Sequence, residues 1–194
     1  MQYAVATLLG YLLGSIPAAL LVGRAHGVDL RATGDGNPGA WNALEQLGPR
    51  RAAPAFLGDG LKGTAAGLIG LALAGVGGAY AAVAGAMIGH AYPVFARFRG
   101  GKSVMTFVGG AFTLSPVAAV IALAACVLVS LLARSFAWGA RAGVFGFVAI
   151  QAAVDPPGRV AATGALMCLI GLRFLLTART RVPATSETDA TRST

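Results

Sequence analysis

An all-α integral membrane protein of about seven transmembrane helices is the fold class this sequence predicts, with the N-terminus outside and the C-terminus cytoplasmic. Three observations predict it. Only 11% of the 194 residues are charged while 56% are hydrophobic. The mean hydropathy is +0.72. The arginines gather between apolar runs or at their ends instead of spreading over one solvated face. A soluble domain carries about 25% charged residues, whereas a charge at the centre of a bilayer costs roughly 2.5–3.5 kcal/mol on insertion scales. The 28 glycines follow no period, which excludes collagen and suits membrane helices that pack closely. The net charge of +8 is that of cytoplasmic loops, not of a nucleic-acid-binding face.

A span needs about 20 apolar residues. Runs of that kind occupy Gln2–Gly23, Ala53–Ala74, Gly77–Phe95, Ser103–Ala133, Phe136–Val154 and Val160–Ala178. The fourth would be roughly 45 Å long as one helix, against a hydrocarbon core of about 30 Å. It contains Leu114-Ser115-Pro116, where the proline ring disfavours an uninterrupted helix. Splitting it into Ser103–Leu114 and Pro116–Ala133 gives seven helices. The split puts Arg24, Arg31, Arg50, Arg51, Arg97, Arg99, Lys102, Arg134, Arg141 and the C-terminal arginines on one side, with Arg159 on the other. The positive-inside bias makes that side the cytoplasm. Ser103–Leu114 is short for a full span and suits a half-span packed in protein. The first run lacks a basic leader and a small-residue cleavage site, so it reads as a retained span. Residues 1–182 form one domain in this reading, and the Ser/Thr/Ala-rich stretch 183–194 a disordered cytoplasmic tail. Cys126 and Cys168, inside apolar runs, read as small buried hydrophobes. Nothing in the sequence calls for a metal, a cofactor or a protein partner.

The chemistry-bearing residues lie at the cytoplasmic edge. The first loop ends Thr33-Gly34-Asp35-Gly36-Asn37-Pro38-Gly39-Ala40-Trp41-Asn42, a composition for tight turns whose N–H groups can form an anion-binding nest. The third loop runs Gly100-Gly101-Lys102-Ser103 into a helix. There glycines let the backbone approach a phosphate, the helix start supplies aligned N–H groups and the lysine supplies charge. Ala96 stands where a Walker A loop needs glycine, and no strand precedes it, so an ATPase P-loop is excluded. Lysine is used only at Lys62 and Lys102. Lys62 lies three residues after Asp59, on one helix face, where the two can pair. His90 follows Gly89 near the cytoplasmic half of the third run and reads as a hydrogen-bonded packing residue. Gly10/Gly14, Gly63/Gly67 and Gly85/Gly89 read as close-packing pairs.

Taken together, Gly14-Ser15-Ile16-Pro17, Gly34-Asp35-Gly36-Asn37-Pro38-Gly39-Ala40-Trp41-Asn42, Asp59-Gly60-Leu61-Lys62-Gly63 and Gly89-His90-Ala91-Tyr92-Pro93-Val94-Phe95 followed by Gly100-Gly101-Lys102-Ser103-Val104 resemble the bacterial acyl-phosphate glycerol-3-phosphate acyltransferase family. Their order and spacing are kept over about residues 10–110. The resemblance implies a seven-span fold and acyl transfer from an acyl phosphate to glycerol 3-phosphate, giving lysophosphatidate, with membrane lipid as surroundings and product. It implies that Lys102, Asn37 and Asn42 are catalytic. Arg31, Gly36, Lys62, Gly100, Gly101 and Ser103 would bind substrate or phosphate, and Asp59, His90 and Arg173 would support the site. Asp35 replaces a serine of the family pattern, Trp41 a threonine, Glu45 an arginine, Ser103 a glycine, and Phe174 and Thr177 a histidine and an asparagine. Two of these changes add carboxylates where an anionic substrate would sit. The departures leave two functional classes open: an acyltransferase, with the same or an altered acceptor, and an impaired relative that acts as a lipid-binding or regulatory partner.

Overall fold

The computed structural model describes residues 1–178; the expected tail 183–194 lies outside them. Among the described residues all regular structure is helical. Helix α1 (Gln2–Gly14) is followed by α2 (Ala18–Ala25), so the first apolar run is broken where one helix was expected. Pro17 is the cause: it offers no N–H and forces Ile16 out of helical geometry. The carbonyl of Ile16 thus left outside the helical ladder accepts a hydrogen bond from Lys62 Nζ at 3.0 Å. A loop leads to α3 (Ala40–Leu47), which buries Ala40, Asn42 and Ala43.

Helix α4 (Pro49–Ala91) starts with proline in its first turn and doubles back at Ala74 and Gly75, where Gly75 has φ 62°. Only glycine takes that conformation at no steric cost. The fold-back yields two arms, matching the second and third apolar runs. They touch through glycine: a Cβ on Gly70 would collide with the carbonyl of Gly78, and the reverse. Helix α1 lies along the second arm in the same way, Gly10 against Ala82, Gly14 against Ala86, Gly85 against Thr7 and Gly89 against Tyr11. Helix α5 (Val104–Leu114) lies on the first arm, with Gly63 against Thr106 and Gly109 against Gly60. Absence of side chains lets the backbones approach, and dispersion between them replaces the hydrophobic drive that lipid removes.

The expected break at Leu114-Ser115-Pro116 is present, with Ser115 extended at φ −152°. Helices α6 (Pro116–Leu132), α7 (Phe136–Val154) and α8 (Pro157–Ala178) complete the bundle. The core is built on Ala79, Val83, Met87, Phe107, Leu114 and Phe147, with Phe107 and Phe147 edge to face at 5.8 Å. Large apolar side chains point outward instead, among them Leu131, Leu132, Phe145 and Leu175, the inverse of a soluble domain. Cys168, expected to be buried, is one of these outward-facing residues, while Cys126 is half-buried. Four segments among the described residues are long and apolar enough to cross a membrane: Gln2–Ala25, Pro49–Ala96 (folded back on itself), Phe136–Val154 and Pro157–Thr177. Helix α5, at 11 residues, is roughly 16 Å long, about half a bilayer core. Protein covers its Thr106, Phe107, Gly109, Gly110, Ala111 and Leu114, the condition under which a short element is tolerated at membrane depth.

Opposite the glycine-rich loops, a polar knot ties α7, α8 and the second arm of α4. Gln151 Nε2 donates to the Tyr80 hydroxyl at 3.1 Å, Tyr80 donates to the Arg159 carbonyl at 3.0 Å, and Arg159 pairs with Asp155 at 2.6 Å. Burial pushes the Asp155 carboxyl up, but hydrogen bonding with Ser115 and Gln151 and the Arg159 charge outweigh it, so its pKa lies below the usual carboxylate value. A depressed folded pKa contributes stability that is present above the unfolded value of about 3.9 and lost as pH falls through the folded one. Thermal melts should therefore show Asp155→Asn less stable than wild type at pH 7, with the gap closing on acidification below about pH 4.

Candidate active site

The end of the bundle formed by the first and third loops gathers residues from five stretches of chain. Two glycines stand near the end of the third loop, and the fold explains why. A Cβ on Gly100 would meet the His90 carbonyl, and one on Gly101 the His90 imidazole. Their N–H groups cap the end of α4, Gly100 donating to Ala91 O at 3.2 Å and Gly101 to His90 O at 3.1 Å. Their carbonyls accept from Arg173 on α8, Nη2 to Gly100 at 3.1 Å and Nε to Gly101 at 3.2 Å. Arg173 also lies 4.7 Å over the Tyr92 ring. The glycines thus hold the loop against α4 and α8, and what the loop presents beyond them is Lys102. Ser103, at φ 63°, turns its hydroxyl inward to Met87 O at 2.7 Å and is buried, so the structure does not offer it to a phosphate. That backbone conformation is one glycine takes freely, which fits the glycine of the family pattern.

Lys102 Nζ meets Asp35 Oδ2 at 3.0 Å and sits 4.8 Å over the Phe174 ring. Asp35 Oδ1 accepts the Asn37 N–H at 3.0 Å. Where the sequence led one to expect a nest of several amides, a single one, that of Asn37, meets the loop's own carboxylate. Neighbouring amides close turns: Gly36 donates to Thr33 O and Gly39 to Asn37 O. Asn42 is buried, and its Nδ2 donates to Leu30 O at 2.8 Å and Thr33 O at 3.0 Å; it braces the loop from within. Asn37 is nearly as buried, and its Oδ1 has no hydrogen-bond partner. Arg31 joins the two loops, Nη2 donating to Ala96 O at 2.7 Å and Arg99 O at 2.8 Å. Burial, then the nearby Arg99 charge, lower its pKa against the opposing pull of Asp29, yet a guanidinium stays protonated.

Beneath the loops lies a second cluster. Lys62 Nζ contacts Asp59 Oδ1 at 2.8 Å, and His90 Nδ1 lies 3.4 Å from the same oxygen. All three side chains are buried. The pairing of Asp59 with Lys62 is thus present, and His90 is part of it. A cavity of about 10 Å³, lined by Asp59, Lys62, His90, Arg99, Gly100 and Gly101, separates this cluster from the loops and has room for about one water. Lys62 is committed to Asp59 and Ile16 and lies a layer below Lys102. Among the described residues no group of His, Cys, Asp and Glu has the arrangement of a metal site.

The two added carboxylates do different things. Asp35 is at the centre of the site. Glu45 instead accepts from Trp41 Nε1 at 2.7 Å along the exposed face of α3, where Trp41 stacks on Phe136 at 5.8 Å. The Glu45 carboxylate, expected beside an anionic substrate, has the Trp41 indole as its partner. Tyr92, named in the sequence within a family-like motif, and Phe174, named as the replacement of a histidine, turn out to be the aromatic faces under the two site cations. That role was not read for either from the sequence.

Fold and site define a polytopic helical membrane protein with a basic, glycine-rich end. The chain belongs to the glycerol-3-phosphate acyltransferase family, whose sequence pattern matches residues 4–181. It is 45% identical over 110 residues to the glycerol-3-phosphate acyltransferase of Rubrobacter xylanophilus, covering 56% of this chain and 55% of that one. With the enzyme of the same name from Thermoanaerobacter sp. strain X514 it shares 43% over 153 residues, covering 78% and 77%. The chain thus spans about half the length of the first relative and about three quarters of the second. It also resembles the crystal structure of PlsY (YgiH), an integral membrane glycerol 3-phosphate acyltransferase. In the glycerol 3-phosphate form the TM-score is 0.79 at 29% identity, covering 95% of this chain and 97% of that one. In the lysophosphatidic acid form it is 0.75 at 28%, covering 92% and 94%.

Proposed function

We propose that this protein transfers an acyl group from an acyl phosphate to a hydroxyl of glycerol 3-phosphate, releasing lysophosphatidate and inorganic phosphate at the bacterial inner membrane. The observation that carries the reading is the meeting of Lys102, Arg173 and Arg31, from three separate stretches, at one end of the bundle. Both substrates are phosphate monoanions or dianions, and cations held in place lower the cost of bringing them together. The acceptor oxygen attacks the acyl carbon, a new ester C–O bond forms, the acyl C–O bond to phosphate breaks, and phosphate departs with the hydroxyl proton. Lys102 offsets the phosphate charge. Arg173 and Gly100–Gly101 fix the loop that carries it. Gly36 and Asn37 line the first-loop side, with Arg31 and Asn42 bracing it, while Asp59, Lys62 and His90 support from below. Family membership supports the acyl transfer, and the forms in which PlsY was crystallised, named for glycerol 3-phosphate and lysophosphatidic acid, support acceptor and product.

The test is purified protein in liposomes with palmitoyl phosphate or palmitoyl coenzyme A as donor and radiolabelled glycerol 3-phosphate or glycerol as acceptor. Label should enter the lipid fraction with palmitoyl phosphate and glycerol 3-phosphate. Transfer to glycerol alone would replace this reading by an altered acceptor, and transfer from the thioester alone would replace the donor.

The same reading places seven spans in the membrane as one domain over residues 1–182, N-terminus outside and C-terminus inside. The alternation of helix directions supports it, since α1 runs parallel to the second arm of α4 and α5 parallel to the first. Reporter enzymes fused after Gly75, Leu114 and Pro156 should report the outer face. Fusions after Arg50, Gly100, Arg134 and Thr180 should report the cytoplasm. A cytoplasmic Leu114 fusion together with an external Arg134 fusion would contradict seven spans.

A further inference from the structure

We propose that Asp35 is an internal anion: its carboxylate takes the phosphate seat beside Lys102, and a phosphate-bearing ligand binds by displacing it. The inference takes the identity of the ligand from the acyltransferase reading above. One carboxylate oxygen accepts the Asn37 N–H at 3.0 Å, and the other faces Lys102 Nζ at 3.0 Å. A backbone amide of a glycine-rich turn and an ammonium are the two kinds of donor such a loop would turn to a phosphate oxygen. The Asp35 side chain is about one-fifth exposed and that of Lys102 slightly less, so the pair is reachable from solvent and an entering ligand can replace one of its members. The first loop and the third are joined from within by Arg31, so displacing the carboxylate leaves the frame of the site standing. Binding in this protein is therefore an exchange of one anion for another at Lys102. The carboxylate weakens every phosphate ligand, and weakens the more highly charged ones most, which makes it the residue that sets the charge preference of the site.

The experiment measures binding of glycerol 3-phosphate and of inorganic phosphate by titration calorimetry to the full chain in detergent. The proteins are wild type, Asp35→Asn, Asp35→Ser, Lys102→Ala and the Asp35→Asn/Lys102→Ala double variant, each with its thermal melt. Asp35→Asn keeps an acceptor for Asn37 and removes only the charge. It should tighten both ligands on the order of tenfold, with Asp35→Ser tightening them similarly. The gain should vanish when Lys102 is absent. Unchanged or weaker binding by both folded Asp35 variants overturns the proposal, as does a gain that persists without Lys102. No phosphate binding in any protein overturns it too. Tenfold tightening in a protein that makes no lysophosphatidate sustains the internal anion and removes the acyltransferase reading, so the two failures are distinguishable.

Discussion

Replacing Lys102 by alanine should lower kcat/KM for acyl transfer by about 10²–10³-fold, the loss typical of one preorganised electrostatic donor. The residue is the cation that the third loop presents. Its two glycines have their N–H groups taken by the end of α4 and their carbonyls taken by Arg173, so the backbone there cannot substitute for the lost charge. Phe174 under the ammonium, at 4.8 Å, keeps it aimed, with a cation–π attraction of about 0.5–1 kcal/mol at a partly exposed position. Lys102→Arg should recover part of the rate, because charge returns but a planar fork replaces a point charge. Initial rates across glycerol 3-phosphate concentrations check both. A Lys102→Ala enzyme within threefold of wild type would remove the lysine from the site's chemistry. Since alanine also leaves Asp35 facing the substrate without its partner, the double variant with Asp35→Asn separates the two contributions.

Asp59→Ala should destabilise the protein by about 3–5 kcal/mol, enough to prevent recovery of folded protein, because it strands a buried ammonium. The side chain of Lys62 is 5% exposed and that of Asp59 1%. Once Asp59 is gone, Lys62 retains only the carbonyl of Ile16 against the full desolvation of its charge. Removing both charges with Asp59→Leu/Lys62→Leu should restore much of the stability, since replacing a buried pair by apolar groups is often close to neutral. Thermal melts and the elution profile in detergent read the outcome. A monodisperse Asp59→Ala protein melting with wild type would show that Lys62 is hydrated in solution and that the pair holds nothing together.

Much of the helical framework was legible because lipid imposes a simple rule of length and hydropathy. The break at Ser115-Pro116 and the fold-back before Gly77 were visible as proline and glycine in runs otherwise too long or too closely spaced. Ile16-Pro17 carries the same pattern as Ser115-Pro116, yet the run around it is short enough for one helix, so nothing in its length demanded a break. The consequence, a carbonyl for Lys62, is tertiary and could not be read locally. Helix α3 was hidden behind a stretch of glycine and asparagine that signals turns. Its first residues, Ala40 and Asn42, are buried against the loop itself and the first arm of α4. The glycine pairs were read correctly as packing faces, since small residues spaced along apolar helices have few other uses.

The site was legible as a list and not as an arrangement. Asp59 and Lys62 share a helix, so their pairing followed from spacing. Asn42 and Ser103 belong to segments that resemble the family, but which way each side chain turns depends on partners far along the chain, Leu30 and Thr33 for one and Met87 for the other. Glu45 was expected beside the substrate because its position matched an arginine, while its side chain is held by Trp41 one turn away. The contact of Asp35 with Lys102 joins residues 67 apart in sequence. Opposite charges in two loops assigned to one side of the membrane were the available hint, and only folding could turn it into a pair.

The central claim is that one site joins an acyl phosphate to glycerol 3-phosphate, and simultaneous measurement of both products tests it most directly. In liposomes with palmitoyl phosphate and radiolabelled glycerol 3-phosphate, inorganic phosphate release and label in the lipid fraction are followed in the same reaction. The account predicts that the two rise in equal amounts, saturate with glycerol 3-phosphate and fall together in Lys102→Ala. Phosphate release without labelled lipid, or no release by folded wild-type protein, would contradict it.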